Sequence, residues 1–213
     1  MKNNFLKDGI EIYPDFFDAN IIEEIDKKIV KFVQSIDLTS PSETEDYIVE
    51  TPKSTKKLNF NQLAGAHKTV VKVRGDHPWD DGMLDIFHID KVVDIDYVIK
   101  NKSLADKIRS IGKRIRNVNI YYNNSITVTR DYHRDSSGGV QCKAFIYLTD
   151  VSDESFGPYS YIKGTQTEVT NEGEVVHCIA NKGSLILSNQ SGLHRGLPQA
   201  KGKSRHLISI NLA

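Results

Sequence analysis

The sequence has few cysteines, no excess of charge and no long apolar run, and each absence removes a class of protein. Its 2 cysteines in 213 residues are too few for the disulfide framework of a small secreted domain, and they lack the clustered spacing of a zinc site. The 28 basic and 28 acidic residues give a formal net charge of +0, so no overall field favours nucleic acid or an anionic membrane.

No stretch of the sequence approaches the length of a membrane span, and residues 1–8 lack the apolar segment of a signal peptide. We therefore expect a cytoplasmic protein that binds neither a membrane nor nucleic acid. The hydrophobic fraction of 38% and the charged fraction of 26% are typical of a globular protein. The length predicts one domain over residues 1–213.

The pattern with the most chemical content is His133-Arg134-Asp135, which is followed far downstream by His194 and Arg205. On an extended segment the side chains of His133 and Asp135 point the same way. Two imidazoles and one carboxylate on one face can hold a non-haem Fe(II) and leave coordination positions open. The sequence therefore predicts His133, Asp135 and His194 as metal ligands, and the carboxylate in place of thiolates favours Fe(II) over zinc.

Each member of this pattern also has an ordinary structural interpretation. A short H-x-D sequence occurs by chance in many proteins. Asp135 stands where it could start a turn over residues 136–139, and Arg205 belongs to a basic run with Lys201 and Lys203 that is typical of a solvated face. The predicted elements around these residues help to decide between a metal site and an ordinary structural role.

The C-terminal part reads as strands separated by short turns. Residues 143–151 indicate a strand that ends in a turn, 157–165 a short strand between two turns, 183–188 a strand that opens on glycine, and 204–212 a closing strand. Helices that precede such strands argue for an α+β fold. A double-stranded jelly roll, as in cupins, is the natural closure of these strands.

The first half of the chain is predicted to be helix-rich. Apolar residues recur at helical spacing after Asp18, a predicted N-cap, and again after Ser103. Residues 37–57 are polar and are predicted to form a surface loop, either a lid or a disordered segment. We expect residues 1–117 to pack their helices on the sheet, and residues 118–213 to carry the metal-binding jelly-roll strands.

From His133 onward the sequence resembles the phytanoyl-CoA dioxygenase family of Fe(II)/2-oxoglutarate-dependent oxygenases. The family order is H-x-D, a strand that ends L-T-D-V, a G-P turn, a G-[ST] turn, a Gly-led strand, the distal His and an Arg about one strand later, and all are present. Residues 8–17 resemble the family's opening strand. Two positions depart from the family: Gln166 stands where His is frequent, and Arg195-Gly196 stand where Gly-Ser is frequent.

The resemblance implies a double-stranded β-helix in which His133, Asp135 and His194 bind Fe(II) and Arg205 binds the distal carboxylate of 2-oxoglutarate. Phe145 matches an aromatic position of the family's co-substrate pocket. The carboxylate ligand is missing in the related halogenases, so Asp135 implies hydroxylation or another oxidation. The implied reaction uses O2, releases succinate and CO2, and acts on a small-molecule, lipid or acyl substrate.

Lys143, Phe145 and Tyr147 share one face of their predicted strand. This face points into the barrel if the residues between them pack on the helices. An inward Lys143 could add a second cation for 2-oxoglutarate, because a buried lysine without an anion is costly. The alternative is that Lys143 faces solvent.

Several alternatives stay open at this point. Three arginines flank the ligands and could pair with Asp131 or Asp135 or bind an anionic substrate. They are Arg130, Arg134 and Arg195. A cupin-like metal enzyme that uses O2 without 2-oxoglutarate would have no need of Arg205, and a non-catalytic binding barrel would have no need of an open iron site. No motif indicates the substrate or the oligomeric state.

Overall fold

A computed structural model of the protein describes residues 4–59, 62–63, 65–135, 142–167 and 170–213. Four α-helices lie in the first half of these residues. They are α1 (Asn4–Asp8), α2 (Ala19–Gln34), α3 (Asp96–Ile99) and α4 (Lys102–Ser110), and short 3-10 helices occur at Ile89–Lys91 and Glu154–Phe156. Within the described ranges no helix is both long enough and apolar enough to cross a membrane.

The described residues form twelve strands in two sheets. The strands are β1 (Ile10–Tyr13), β2 (Ser42–Glu43), β3 (Tyr47–Glu50), β4 (Thr69–Val73), β5 (Leu84–Phe87), β6 (Ile115–Asn124), β7 (Cys142–Tyr147), β8 (Tyr159–Ile162), β9 (Val175–His177), β10 (Leu185–Asn189), β11 (His194–Gly196) and β12 (Ser204–Leu212). The large sheet has the order β1-β10-β7-β12-β6-β5-β4-β3-β2, and the small sheet has the order β11-β8-β9.

The two sheets together make the predicted jelly roll. An antiparallel bridge between His133 and His194 adds the segment around His133 to the small sheet beside β11. Four strands of the large sheet, β6, β12, β7 and β10, thus face four extended segments of the small sheet. The predicted α+β class with a double-stranded β-helix core is confirmed.

Strand β7 alternates between two apolar cores. Ala144 and Ile146 pack in the core that includes the buried side chains of α2 and α4. Phe145 and Tyr147 pack in the second core, between the large and the small sheet. Of the two directions that the sequence left open for the face that carries Lys143, the structure has the inward one, and Lys143 lines a cavity.

Both long helices begin at side-chain caps. The Asp18 carboxylate accepts the backbone N–H of Asn20 at 2.8 Å, which confirms the predicted start of α2. The second helix, α4, begins two residues earlier than predicted, because Asn101 accepts the N–H of Leu104 at 3.0 Å. Ser103, the predicted cap, lies inside the first turn of α4.

The loop prediction for residues 37–57 is wrong where β2 and β3 form. Strand β3 pairs in parallel with β4, and Val49 and Glu50 are buried there. The buried Glu50 carboxylate is stabilised by Lys72 Nζ at 2.8 Å. The first half of the chain therefore contributes strands β1 to β5 to the large sheet in addition to its helices.

The packing of α2 on the large sheet generates a stability prediction. Ile29 is fully buried, whereas Ile21 of the same helix is 40% exposed. We expect Ile29→Ala to lower the free energy of unfolding by about 3 kcal/mol, because it leaves a cavity in the core. The matched control Ile21→Ala should change it by less than about 0.5 kcal/mol. Equal losses in denaturant titrations of the two variants would contradict this packing.

Candidate active site

His133 and His194 are joined by a reciprocal pair of backbone hydrogen bonds. The His194 N–H donates to the His133 carbonyl at 2.9 Å, and the His133 N–H donates to the His194 carbonyl at 3.1 Å. The Asp135 N–H donates to the Gln190 carbonyl at 3.0 Å. These bonds hold the H-x-D segment against the chain around β11, so residues that are distant in sequence meet at one edge of the small sheet.

The three predicted metal ligands converge. One ligand atom from each of His133, Asp135 and His194 lies within 4.8 Å of the others. The Nε2 atoms of His133 and His194 lie 3.7 and 3.6 Å from Asp135 Oδ1. Their Nδ1 atoms lie 2.8 Å from the Asp131 carbonyl and 2.9 Å from the Gly192 carbonyl. Because a carbonyl only accepts, each Nδ1 carries a proton, which leaves Nε2 as the ring atom that can bind a metal.

The charge states of these side chains suit a divalent cation. Burial lowers the pKa of His133, which favours the neutral ring that binds metals. Burial alone would raise the pKa of Asp135, but contacts with His194 and Lys143 hold it well below its usual range. Two imidazole nitrogens and one ionised carboxylate fit Fe(II). The turn over residues 136–139, the other interpretation of Asp135, lies outside the described residues.

Lys143 binds the second oxygen of the Asp135 carboxylate. Its Nζ donates to Asp135 Oδ2 at 3.0 Å, and its side chain is 16% exposed. Burial lowers the pKa of Lys143, but the neighbouring Tyr121 and Asp135 outweigh burial and raise it to about 12. The pairing leaves Oδ1 directed at the histidines. Since Lys143 already has an acidic partner, its inward position does not by itself require an acidic ligand.

A cavity of about 280 Å³ adjoins the three converging side chains. All six site residues predicted from the sequence line it. They are His133, Asp135, His194, Lys143, Phe145 and Arg205. Tyr159 and Leu207 add to the apolar wall that Phe145 begins, and Trp79 and Met83 supply further apolar surface. The structure thus gathers the predicted residues around one small-molecule-sized space.

Arg205 is a buried cation without an anionic partner in the described part of the chain. Its residue is 7% exposed, and its Nε and Nη1 atoms find no hydrogen-bond acceptor among the described residues. Burial lowers the pKa of Arg205, yet a guanidinium stays charged in proteins. Arg205 therefore does not lie on a solvated face, and its charge calls for an anion in the cavity.

Two residues that the sequence analysis did not assign to the site surround Arg205. Asn123 is its partner in the β6–β12 register, is 5% exposed, and has an Oδ1 that no described residue contacts by hydrogen bond. A Cβ atom at Gly196 would lie 2.8 Å from Arg205 Nη2, so glycine leaves room for the guanidinium. Only the pairing of β6 with β12 places Asn123 beside Arg205, and no sequence motif identifies Asn123 as a site residue.

The arginines that flank the ligands have different partners. Arg134 donates to the Thr170 carbonyl at 2.7 Å, which gives it a structural role. Arg195 lies 3.4 Å from the carboxylate of Asp131, one of the two pairings that the sequence suggested. The other suggested acid, Asp135, is instead paired with Lys143.

A further ion-pair group at the cavity was not predicted. Arg74 donates to Asp80 at 2.9 Å and to Asp85 at 3.3 Å, and all three residues line the cavity. Burial raises the pKa of Asp85, although Arg74 and Lys143 oppose the change. The sequence offers no signal for this group, because its members come from β5 and from the loop that joins β4 to β5.

No family model and no curated protein matches the sequence, but many solved structures share its fold. AviO1 from Streptomyces viridochromogenes Tue57 has a TM-score of 0.63 at 15% identity, over 98% of this chain and 91% of AviO1. The non-haem alpha-ketoglutarate-dependent carbocyclase SnoK from nogalamycin biosynthesis has a TM-score of 0.67 at 11% identity, over 98% of this chain and 80% of SnoK.

HygX from Streptomyces hygroscopicus, solved with nickel and 2-oxoglutarate bound, has a TM-score of 0.55 at 12% identity, over 99% of this chain and 84% of HygX. Identities this low show the fold alone. The chain has the cupin-like fold of the non-haem 2-oxoglutarate-dependent enzymes, and its closer resemblance to the phytanoyl-CoA dioxygenase branch stays a prediction.

The contact between Lys143 and Asp135 predicts a shift in acidity. In the metal-free protein we expect Lys143→Met to raise the pKa of Asp135, because the ammonium group 3.0 Å from Oδ2 stabilises the ionised carboxylate. Lys143→Arg keeps the positive charge and should keep the pKa low. Carboxyl 13C NMR during a pH titration measures the effect, and an unchanged pKa in Lys143→Met would contradict the pairing.

Proposed function

We propose that the protein is an Fe(II)- and 2-oxoglutarate-dependent oxygenase that hydroxylates a small organic molecule. The observation that carries this proposal is the unpartnered guanidinium of Arg205 in the same cavity as His133, Asp135 and His194. A keto acid with a distal carboxylate satisfies both features, because one end binds the metal and the other fits the planar fork of arginine. The fold shared with SnoK and HygX supports the same assignment.

The metal ligands in this proposal are the side chains of His133, Asp135 and His194. When bound, Fe(II) with 2-oxoglutarate and O2 supplies an oxidant that turns a substrate C–H into C–OH, with one oxygen atom entering the product, the other entering succinate, and CO2 released. Lys143 holds the Asp135 carboxylate in place. The two Nδ1–H bonds to backbone carbonyls fix the orientation of the imidazoles.

The co-substrate pocket in this proposal is built around Arg205. Arg205 binds the distal carboxylate, and the Asn123 amide beside it donates a further hydrogen bond. Phe145 forms the apolar wall of the pocket, and Lys143 contributes a second positive charge to it. The apolar wall excludes water, which strengthens the ion pair with Arg205.

Arg205 also favours this function over the alternatives. A cupin-type enzyme that uses O2 without 2-oxoglutarate would leave the guanidinium buried without an anion, which is costly. A non-catalytic barrel would have no use for three ligand atoms that converge on one point. Neither alternative uses both the buried guanidinium of Arg205 and the three converging ligand atoms.

We also propose that residues 1–213 act as one domain in the cytoplasm. Strand β1 pairs with β10, and β5 pairs with β6, so both halves of the chain contribute to one sheet. Cys142 and Cys178 are free and buried, which suits a reducing compartment.

The metal assignment predicts a selective loss of metal affinity. Asp135→Ala removes the only anionic ligand of the proposed set and should weaken binding of Ni(II), an air-stable substitute for Fe(II), by more than about 100-fold. The matched control is Asp131→Ala, whose side chain is 97% exposed and which should bind Ni(II) as the wild type does. Isothermal titration calorimetry measures both constants. Wild-type affinity in Asp135→Ala would remove the assignment.

The co-substrate assignment predicts a loss that depends on the distal carboxylate. Arg205→Gln should weaken 2-oxoglutarate binding to the Ni(II)-loaded protein by about 10- to 100-fold, while pyruvate, which lacks that carboxylate, should bind both proteins equally. Gly196→Ser should have a smaller effect of the same kind, because its Cβ would displace Arg205 Nη2. Calorimetry with each keto acid measures this. Equal losses of Ni(II) and 2-oxoglutarate affinity would indicate a structural arginine instead.

A further inference from the structure

The lining of the cavity carries an excess of positive charge. Within the described ranges it includes five basic and three acidic side chains, in addition to the two histidines. The basic residues are Arg74, Arg130, Lys143, Arg195 and Arg205, and the acidic residues are Asp80, Asp85 and Asp135. Among the residues outside those ranges, Glu168 is the only acidic one.

Binding of the proposed cofactors leaves this excess unchanged. Fe(II) adds two positive charges and 2-oxoglutarate adds two negative charges, so their sum is zero. Asp80 and Asp85 already contact Arg74, and Asp135 contacts Lys143. With Arg205 assigned to 2-oxoglutarate, the cavity still holds two arginines, Arg130 and Arg195, without a cavity acid to pair with.

Arg195 is held in place with one N–H group unused. Its Nη2 donates to Thr129 Oγ1 at 3.0 Å, and its Nη1 lies 3.4 Å from Asp131, whose side chain is 97% exposed and therefore well solvated. Its Nε is buried and has no hydrogen-bond partner in the described part of the protein. Arg195 directly follows His194 in β11 and lines the same cavity.

Arg130 is the second arginine that has no acidic partner in the cavity. It lines the cavity three residues before His133, and it makes neither an ion pair nor a side-chain hydrogen bond with any residue that the structure describes. Arg130 and Arg195 therefore lie close in the chain to His133 and His194, respectively.

Apolar surface accompanies these charges in the cavity. Trp79 lines it and is 39% exposed. The indole stacks on the His77 ring with a centroid distance of 4.6 Å and an interplanar angle of 14°, which steadies it at this position. Met83 lines the cavity as well. An exposed aromatic ring at a cavity is suited to cover an apolar part of a ligand.

We propose that the primary substrate is a small molecule that carries an oxyanion group, a carboxylate or a phosphate ester, bound by Arg130 and Arg195, and an apolar part that packs on Trp79. The inference rests on the proposed function, because it assumes that Arg205 is engaged by 2-oxoglutarate. Arginine binds both oxyanions through charge-assisted hydrogen bonds. This assigns to Arg130 and Arg195 the substrate-binding role that the sequence left open.

The test uses protein loaded with Ni(II) and saturating 2-oxoglutarate, so that binding is measured without turnover. Calorimetry compares two matched pairs of probes: 3-phenylpropionate with 3-phenylpropanamide, and phenyl phosphate with phenol. At least one anion should bind about tenfold more tightly than its neutral partner, as expected for a charge-assisted contact. The pair that shows the preference distinguishes a carboxylate from a phosphate site.

The variants connect this preference to the two arginines. Arg130→Gln and Arg195→Gln should each reduce the anion affinity about tenfold, and Arg195→Lys should restore part of it. Arg109→Gln is the matched control, because Arg109 is a surface residue of α4 with a side chain that is 67% exposed; it should leave the preference intact.

The outcomes separate this inference from the proposed function. Failure of Ni(II)-dependent 2-oxoglutarate binding in the wild type would overturn the proposed function. If 2-oxoglutarate binds but neither pair shows an anion preference, or the preference survives both glutamine substitutions, the anionic substrate is excluded.

Discussion

The two backbone hydrogen bonds between His133 and His194 are the constraint on which the rest of the site depends. They fix the H-x-D segment as a neighbour of β11, and the bond from the Asp135 N–H to the Gln190 carbonyl extends this pairing. The ligand atoms can converge only because the chain is held at this edge of the small sheet. The same pairing positions Arg195, which follows His194 in β11, at the cavity. One short segment of strand pairing therefore positions both the proposed metal ligands and the charged residues beside them.

Charge compensation inside the cavity determines what it can bind. Asp135 has Lys143 as its partner, and Asp80 and Asp85 share Arg74. Arg205 has no such partner among the residues that the structure describes. A guanidinium that is buried away from water without an anion is costly, and a bound carboxylate offsets that cost. The protein thus neutralises its own acids and leaves positive charge on arginines for ligands, which suits a dicarboxylic co-substrate and is the basis of the proposed anionic substrate.

That His133, Asp135, His194 and Arg205 meet at one cavity could be predicted from the sequence, because metal chemistry restricts residue types and because alternation along a strand determines which side chains share a face. Asn123 could not, since only the β6–β12 register places it beside Arg205. Strand β3 could not be predicted because it has only four residues and lies in a polar segment. It depends on parallel pairing with β4, which is a tertiary interaction. The start of α4 was missed because Asn101 and Ser103 are both good caps, and the fold decides between them.

The most direct test of this account is spectroscopic and anaerobic. Fe(II) and then 2-oxoglutarate are added to the metal-free protein, and the visible absorption of an iron-chelated keto acid is recorded. The account predicts a charge-transfer band that requires both additions, is lost in Asp135→Ala, and in Arg205→Gln needs a higher concentration of 2-oxoglutarate. A folded protein that binds Fe(II) and gives no band with 2-oxoglutarate would contradict the central claim.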